Sequence, residues 1–358
     1  MKCLKRVMTL LVILPVLFSH MTNAQSLNET INKLSKQAAQ SYLGPASNGF
    51  GANLNSGWAN RAPKSSLLGV DIQFGIVAMG AMMPDENKTF NFAGEYSFTA
   101  AQAEQMTGNI SNSQARQQII SKLTTDKFQV GFSGPTLMGK KNEHIMIAFT
   151  EKQYQVNGAT YTVPSQKVDL GVGGLLDDAS ILPLAAPQLT VGTVYGTQVS
   201  FRYVPSVKIS SELGETKYFG FGIEHNINAW LPVPLPVDVA LGFFTQNLKV
   251  GDVLESNANE FGIYASRTFG PGAVNVTPYV GASVQNSKTT VNYNYQYTIR
   301  NAQGLDEIHS DKISFDLDGE NTSKLTMGVA FKLAYVNLNV DYNIAKYNTF
   351  SAGFGFIF

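Results

Sequence analysis

Hydrophobic and polar positions alternate over many short stretches of this chain, most clearly in the last ten residues. One face of 349–358 is apolar, with Phe350, Ala352, Phe354, Phe356 and Phe358. Successive side chains of a strand point to opposite faces, so this pattern predicts a strand with one apolar side. Ten residues are enough for a tilted strand to cross a bilayer. The stretch predicts a membrane barrel, because a closed barrel pairs both strand edges and turns its apolar face to lipid. A buried strand of a soluble sandwich is the alternative.

The same alternation recurs along the chain and sets the expected fold class. It is clean at 68–78, weaker at 50–58 and 88–98, and regular after residue 189. The regular series comprises 189–204, 217–228, 237–247, 260–269, 273–285, 325–333, 336–344 and 349–358. Short connections alternate with long ones, which is typical of outer-membrane barrels. We therefore expect an all-β fold, a transmembrane antiparallel β-barrel of about 12 strands within a range of 10–14.

Two regions depart from this pattern. Residues 27–43 carry apolar side chains at helical spacing, and Gly44-Pro45 ends the pattern, which predicts an amphipathic helix. Such a helix would be a cap on the barrel or part of a plug in its lumen. Residues 99–189 are irregular and partly helical, and they are too long for a simple loop, so they form an inserted lobe or an inward-folded plug. The expected organisation is a leader at 1–24, a helix or plug at 25–48, and a barrel at 49–358 that contains this insertion.

The amino end and the composition support export. A basic start, a short apolar run and small residues before Gln25 predict a cleaved signal peptide and an outer-membrane location. Cys3 lies within this leader, so the mature chain has no cysteine and forms no disulfide. Without the three basic leader residues, the chain has 23 basic and 26 acidic side chains, a net charge of −3. That balance excludes a nucleic-acid partner, which needs a clear basic excess.

The inward-facing positions combine glycines with a few charges. Glycines such as Gly75, Gly220, Gly222 and Gly353 share the inward parity. Glycine in a strand marks either tight curvature or the close approach of another backbone, so we expect a narrow barrel or a segment inside the lumen. The lumen-facing candidates are Asp71, Gln73, Arg202, Glu224, Asp238, Glu260, Lys332 and Asp341. This set has five acids and two bases, so it lacks the row of cations that lines an anion-selective pore. We expect these charges mainly to pair with each other and with a plug.

The chain resembles a family of uncharacterised outer-membrane proteins of Bacteroidota. The leader, the early helix and the stretches 42–58, 187–203 and 341–349 carry the resemblance. In plan, the chain is more distantly similar to the long-chain fatty acid and aromatic-hydrocarbon transporters of the outer membrane. That resemblance implies a monomeric barrel with an amino-terminal plug and passage for hydrophobic molecules. The final strand, which ends in Phe358, resembles the assembly signal of bacterial outer-membrane barrels, so outer-membrane lipid and the barrel assembly machinery are the expected partners.

Three functions remain open. The first is a plugged transporter for a small hydrophobic ligand, which predicts an apolar pocket between plug and wall. The second is a structural or surface-exposed barrel whose outer loops bind partners, which predicts a solid lumen. The third is a hydrolase, which predicts a histidine beside a serine or aspartate in a cleft; the mature histidines are His144, His225 and His309. The sequence contains no nucleophile-elbow, phosphate-loop, dinucleotide or metal-ligand motif. We therefore expect no enzyme, catalytic residue, cofactor or metal.

Overall fold

The computed structural model describes residues 34–63, 68–210, 214–233, 235–300 and 305–358. The helices are α1 (Lys36–Leu54), α2 (Ala100–Met106) and α3 (Ser113–Thr125), with 3-10 turns at Asp85–Asn87 and Ile227–Trp230. The strands are β1 (Leu68–Met82), β2 (Thr89–Tyr96), β3 (Phe128–Pro135), β4 (His144–Phe149), β5 (Lys152–Val156), β6 (Ala159–Val163), β7 (Gln166–Gly173), β8 (Ile181–Val194), β9 (Thr197–Ser210), β10 (Gly214–Asn226), β11 (Asp238–Val250), β12 (Leu254–Ser266), β13 (Val274–Arg300), β14 (Asp306–Asp318), β15 (Ser323–Leu333), β16 (Val336–Ile344) and β17 (Thr349–Ile357). Within these ranges no helix combines the length and hydropathy that a membrane span requires.

Ten of the described strands close into one antiparallel barrel. Their order around the ring is β1, β8, β9, β10, β11, β12, β13, β15, β16 and β17, and β17 pairs with β1 to close it. At that seam Ala78 lies opposite Ala352, and Ile76 lies opposite Phe354. The strand β14 extends the ring on one side by pairing with 288–300 of β13.

The described barrel has ten strands rather than about twelve, at the lower end of the expected range. The weak alternation at 50–58 belongs to the end of α1 and the turn that follows it. The stretch at 88–98 contains β2, which pairs with β3 outside the barrel. Residues 50–58 are buried at every position, whereas β2 buries one face against protein. Alternation alone does not distinguish protein from lipid as the apolar neighbour.

The outer face of the barrel is an apolar belt. On β17, Phe350, Phe354 and Phe356 are 40–45% exposed, whereas Ser351 is 2% exposed. This confirms the orientation predicted for the last strand. Exposed apolar side chains continue around the ring at Ile72, Phe74, Leu189, Phe201, Phe219, Ile223, Leu241, Phe243, Phe261, Ile263, Val280, Met327, Phe331 and Val340. In water such a surface would aggregate, so the ring has the outer face of a membrane barrel.

Residues 83–180, here called the lobe, form a second folded unit between β1 and β8. Its sheet has the order β2-β3-β4-β7, and β5 and β6 form a separate hairpin. Phe98, Phe132 and Ile147 lie in its core at 2% exposure or less. Among the described lobe residues no large apolar side chain is exposed, in contrast to the ring. The insertion therefore starts after Met82 and ends before Ile181, whereas the sequence pattern placed it at 99–189.

The two ends of the barrel differ. The lobe and the long β13–β14 hairpin lie at one end, here called the lobe end. The other end, the turn end, has connections of at most eleven residues, at 195–196, 227–237, 267–273 and 334–335. The expected alternation of short and long connections is incomplete, because the lobe end also has short connections at 251–253 and 345–348. Tyr195 and Ala334 adopt positive φ angles of 54° and 55°, as tight two-residue hairpins require.

Residues 34–63, here called the lumen segment, begin against the lobe and then enter the ring. Tyr42 donates a hydrogen bond of 3.0 Å to the carbonyl oxygen of Gly173 in the lobe, whereas Ser56 and Gly57 contact the inner wall. Helix α1 contacts β1 and β8 on one side of the barrel and β12 and β13 on the other. The prediction that Gly44-Pro45 ends the helix is wrong, because α1 continues through Pro45 to Leu54. A proline inside a helix costs about 3 kcal/mol, and burial of the following turns, with Leu54 at 0% exposure, offsets that cost. Residues 27–33 of the predicted helix lie outside the described residues.

Candidate functional site in the barrel lumen

The lumen segment runs from one end of the barrel to the other. At the lobe end, the Tyr293 hydroxyl donates a hydrogen bond of 2.8 Å to the carbonyl oxygen of Leu34. At the turn end, the Ala62 amide donates a hydrogen bond of 3.0 Å to Ser266 Oγ. Since the chain enters β1 from the turn end, it passes once through the lumen before it builds the wall.

Arg202 of β9 holds the middle of the lumen segment. Its side chain is fully buried, and Nη1 donates to the carbonyl oxygen of Ser56 at 2.9 Å. Nη2 donates to the carbonyl oxygen of Gly57, and Nε donates to Gln188 Oε1 at 2.9 Å. The guanidinium carbon lies 3.8 Å from the centre of the Trp58 ring. The rigid fork of arginine suits two adjacent carbonyl acceptors, so one wall residue fixes the position of three segment residues.

The backbone at Gly57 requires glycine. Its φ angle is +65°, in the left-handed region that residues with a Cβ atom rarely adopt. A Cβ atom there would lie 2.8 Å from Ser351 Oγ and from Val77 Cγ1. The turn that presents two carbonyl groups to Arg202 therefore depends on both the conformation and the size of this glycine.

Trp58 fills the lumen beside Arg202. It is 2% exposed, its ring stacks on Phe244 at 5.2 Å between centroids, and its Nε1 donates to the Leu54 carbonyl oxygen at 2.8 Å. A Cβ atom at Gly220 would lie 2.8 Å from Trp58 Cη2, and one at Gly222 would lie 3.2 Å from Trp58 Cε3. These two inward glycines of β10 make room for the indole, which is the close approach that the sequence pattern indicated as one alternative.

Other inward glycines accommodate side chains of the wall itself. A Cβ atom at Gly328 would lie 2.3 Å from Tyr279 Cζ, and one at Gly281 would lie 2.3 Å from Tyr264 Cδ1. The barrel interior is therefore filled partly by large wall residues and partly by the lumen segment. Both explanations of the inward glycines apply, at different positions.

A buried ion pair contacts the lumen segment on the opposite side of the ring. Lys324 Nζ lies 2.9 Å from Glu260 Oε2, and the two side chains are 5% and 0% exposed. Lys324 also donates to the carbonyl oxygen of Asn55, and the Tyr264 hydroxyl donates to Glu260. A buried pair is strongly destabilised when one partner is removed, so this contact couples the wall to the segment.

Three predicted lumen-facing acids lie toward the turn end. Asp71 lies 3.8 Å from the Arg61 guanidinium of the lumen segment. Asp238 accepts a hydrogen bond of 2.9 Å from Asn226 Nδ2. Glu224 is 1% exposed and accepts a hydrogen bond from Gln198 Nε2.

The remaining predicted residues do not meet at a single point. Asp341 accepts hydrogen bonds from Tyr279, at 3.1 Å, and from Asn343, at 2.7 Å. Gln73 is half-buried near the wall of a small void, and Lys332 is half-buried near the turn end. The predicted set therefore divides into separate contacts along the lumen, and Arg202 and Glu260 are the members that hold the segment.

Sequence reasoning missed Trp58 and Lys324. Trp58 is the last residue of the weakly alternating stretch 50–58, although an indole among small polar residues is a signal of tight packing. Lys324 has the same parity as the inward Thr326, but the predicted strand began at 325 and left it out. Extending that strand by one residue would have added Lys324 to the inward set, but not its pairing with Glu260, since β13 lies between the two strands.

A small void lies between the lumen segment and the wall. It measures about 10 Å³, enough for about one water molecule. Amide side chains of Asn60, Gln73, Gln188 and Asn339 line it together with apolar groups of Ile76, Val77 and Phe354. This void is too small for the apolar ligand pocket that a hydrophobic transporter predicts between plug and wall.

The histidine in the barrel wall lies near the turn end. His225 Nδ1 lies 2.9 Å from Thr197 Oγ1, and Trp230 donates to His225 Nε2. Trp230 is 71% exposed at the turn end, where aromatic girdles of barrels meet lipid headgroups. Among the described residues, no group of three His, Cys, Asp or Glu side chains could hold a metal ion.

A model of a family of unknown function, DUF6588, matches residues 1–358. No curated protein matches the chain. Among solved structures the chain is similar to OmpTdeltaL8, a loop L8 deletion mutant of the outer membrane protein OmpT of Vibrio cholerae. The identity is 11% and the TM-score 0.22, over 81% of this chain and 99% of that chain.

Two other solved structures are similar at the same level. The beta domain of the Bordetella autotransporter BrkA has 10% identity and a TM-score of 0.20, over 80% of this chain and 99% of that chain. The outer membrane transporter YddB from Escherichia coli has 12% identity and a TM-score of 0.23, over 81% of this chain and 44% of that chain. At this similarity, the barrel assignment rests on the strand pairing and the apolar belt of the chain itself.

Proposed function

We propose that this chain, which belongs to the DUF6588 family of unknown function, is an outer-membrane barrel that its own lumen segment plugs and that displays the lobe at the cell surface. The observation that carries this proposal is the single pass of the lumen segment from the lobe through the ring, held at Arg202. A ring filled in this way leaves the lobe as the part of the molecule able to meet a partner.

The orientation follows from the two ends of the barrel. Outer-membrane barrels have short turns on the periplasmic side and long connections outside. The turn end of this ring would then face the periplasm, and the lobe and the β13–β14 hairpin would face outward. The polar surface of the lobe suits an aqueous compartment on either side of the membrane, so the orientation rests on the connections alone.

The closed lumen is tested by single-channel conductance in a planar bilayer. Full-length refolded protein should be silent, and a version that lacks residues 25–58 should open. Conductance of the full-length protein equal to that of the truncated form would contradict the proposal. Display is tested separately by adding protease to intact cells, where cleavage within 83–180 is expected and protection of the lobe would contradict it.

A gated channel for small polar molecules is the second candidate. It is favoured by wall groups without protein partners, namely the side-chain amide nitrogens of Asn337 and Asn339 and both polar atoms of Gln285. Water or a polar solute in a passage would pair these groups, since buried polar atoms rarely remain unpaired. The polar wall argues against the hydrophobic ligand expected from the sequence. Opening of the full-length protein on addition of a solute would favour this candidate over display.

The cleaved leader, the monomeric state, dependence on the barrel assembly machinery and an origin in Bacteroidota remain predictions. Amino-terminal sequencing of the purified protein is expected to begin at Gln25. A different start would contradict the leader boundary.

A further inference from the structure

Three adjacent strands of the lobe bring a serine, a histidine and an aspartate onto one face of its sheet. The strand order is β3-β4-β7, and the three strands carry Ser133, His144 and Asp169 respectively. Ser133 and Asp169 both lie directly opposite Met146, one from each side. His144 lies two residues before Met146 on the same strand, so it occupies the diagonal position between the other two.

The aspartate orients the histidine. His144 Nδ1 lies 2.9 Å from Asp169 Oδ2, and because an ionised carboxylate only accepts hydrogen bonds, the proton belongs to Nδ1. Asp169 Oδ1 accepts a hydrogen bond of 2.6 Å from the Gly171 amide, whose residue adopts a φ angle of +62°. A base held by a carboxylate that is itself held by the backbone is the arrangement that nucleophilic catalysis uses.

The charge of Asp169 is favoured by these contacts. Partial burial tends to raise its pKa, but the hydrogen bonds from His144 and from the Gly171 amide outweigh that effect, and the pKa lies below its usual value. The nearby Glu143 pairs with Lys140 at 3.0 Å and is therefore compensated. Asp169 stays ionised near neutral pH and keeps His144 in the tautomer whose Nε2 accepts a proton.

The serine and the aspartate lie on opposite sides of β4. His144 Nδ1 contacts Asp169 of β7, and Ser133 lies on β3, the other neighbour of β4. Both side chains line an open depression of about 500 Å³, whose other walls include Thr89, Asn142 and Met146. In the described part of the chain Ser133 makes no hydrogen bond to His144. In enzymes without substrate this bond is often long, and it forms when the substrate is bound.

We propose that Ser133, His144 and Asp169 form a catalytic triad on the lobe that hydrolyses carboxylic esters with short acyl groups. Ser133 Oγ attacks the ester carbonyl carbon while His144 Nε2 takes its proton, and the alcohol leaves with that proton. Water then attacks the acyl-serine by the same route and releases the carboxylic acid, so the step needs no co-reactant besides water. The shallow depression offers little apolar surface for a long acyl chain, which sets the substrate class. This activity goes beyond the proposed display function and does not depend on the orientation of the barrel.

The test is covalent labelling of refolded full-length protein by a fluorescent fluorophosphonate, with the labelled peptide identified by mass spectrometry. We expect labelling at Ser133, its loss in Ser133→Ala, and a roughly 100-fold slower rate in His144→Gln, the usual contribution of a general base. Hydrolysis of 4-nitrophenyl acetate should fall in parallel and lose its dependence on an imidazole pKa in His144→Gln.

Matched controls are available on the β13–β14 hairpin. His309 lies 3.6 Å from Glu307 and is exposed, so His309→Gln and Ser310→Ala change an equivalent exposed pair outside the proposed triad. These variants should keep the parent rates. Absence of labelling in the parent, labelling at another residue, or equal rates in His144→Gln and His309→Gln would overturn the proposal. Circular dichroism of each variant separates loss of activity from loss of fold.

Discussion

Replacing Trp58 with alanine is expected to release the lumen segment. The indole is 2% exposed, stacks on Phe244 and lies 3.8 Å from the Arg202 guanidinium carbon. Truncating a buried tryptophan to alanine costs about 3–5 kcal/mol, which includes the lost ring and cation contacts. If Trp58 is exposed to water when the segment withdraws, that cost falls on the seated state alone. The withdrawn population should then rise about 150- to 5,000-fold.

A single engineered cysteine measures this shift when it is introduced with Cys3→Ser, because Cys3 is the one cysteine of the sequence. Asn60 is 9% exposed in the lumen, so Asn60→Cys reacts with a soluble maleimide mainly when the segment withdraws. The labelling rate should rise steeply in Trp58→Ala and only slightly in Trp58→Phe, which keeps most of the ring contacts. A cysteine at the exposed Ser310 corrects for reagent reactivity. A rate in Trp58→Ala that stays within about threefold of the parent rate would refute the reasoning, since 3 kcal/mol corresponds to a much larger change.

Three further outcomes are expected. Gly220→Ala places a Cβ atom 2.8 Å from the Trp58 ring and should destabilise the seated state of the lumen segment by about 1–3 kcal/mol. The same cysteine labelling measures this change, which should be small in a protein that already carries Trp58→Ala. Lys324→Met leaves Glu260 buried without its cation and should lower the free energy of unfolding by about 3–5 kcal/mol in urea titrations, whereas Lys324→Met with Glu260→Gln should recover most of it. Deleting Phe358 removes two backbone hydrogen bonds at the β1–β17 seam and should destabilise the closed ring by about 2 kcal/mol, seen as a lower melting point in heat-modifiable gel migration; unchanged migration would contradict it.

The sequence predicts the barrel wall well because the outer and inner faces of the wall contact different surroundings. Lipid outside and polar contents inside impose strict alternation on residues such as Phe354 and Ser351. The inward position of Arg202 follows from the same parity. The alternation shows that a residue points inward, but it does not show which residue it contacts there. The contact of Arg202 with Ser56 and Gly57 was therefore not predictable.

The lobe was harder to predict for a related reason. A strand such as β2 in a small soluble sheet also has one buried face, and its alternation resembles that of a barrel strand. The pairing of β2 with β3 crosses two helices, and nothing local in either strand specifies that partner. The grouping of Ser133, His144 and Asp169 likewise depends on a long-range strand order that spacing along the chain does not reveal.

The direction in which the lumen segment passes through the ring constrains how the protein is assembled. Leu34 lies at the lobe end, whereas the segment ends at the opposite rim, where β1 begins. An early segment of the chain therefore passes through a closed ring that is formed by strands later in the sequence. If the unfolded chain reaches the membrane at the turn end, its first residues must cross the ring before β1 pairs with β17, or while they pair. A compact domain fused ahead of residue 34 would be too wide for that passage and should stall assembly, whereas an unfolded tag of the same length should emerge beside the lobe.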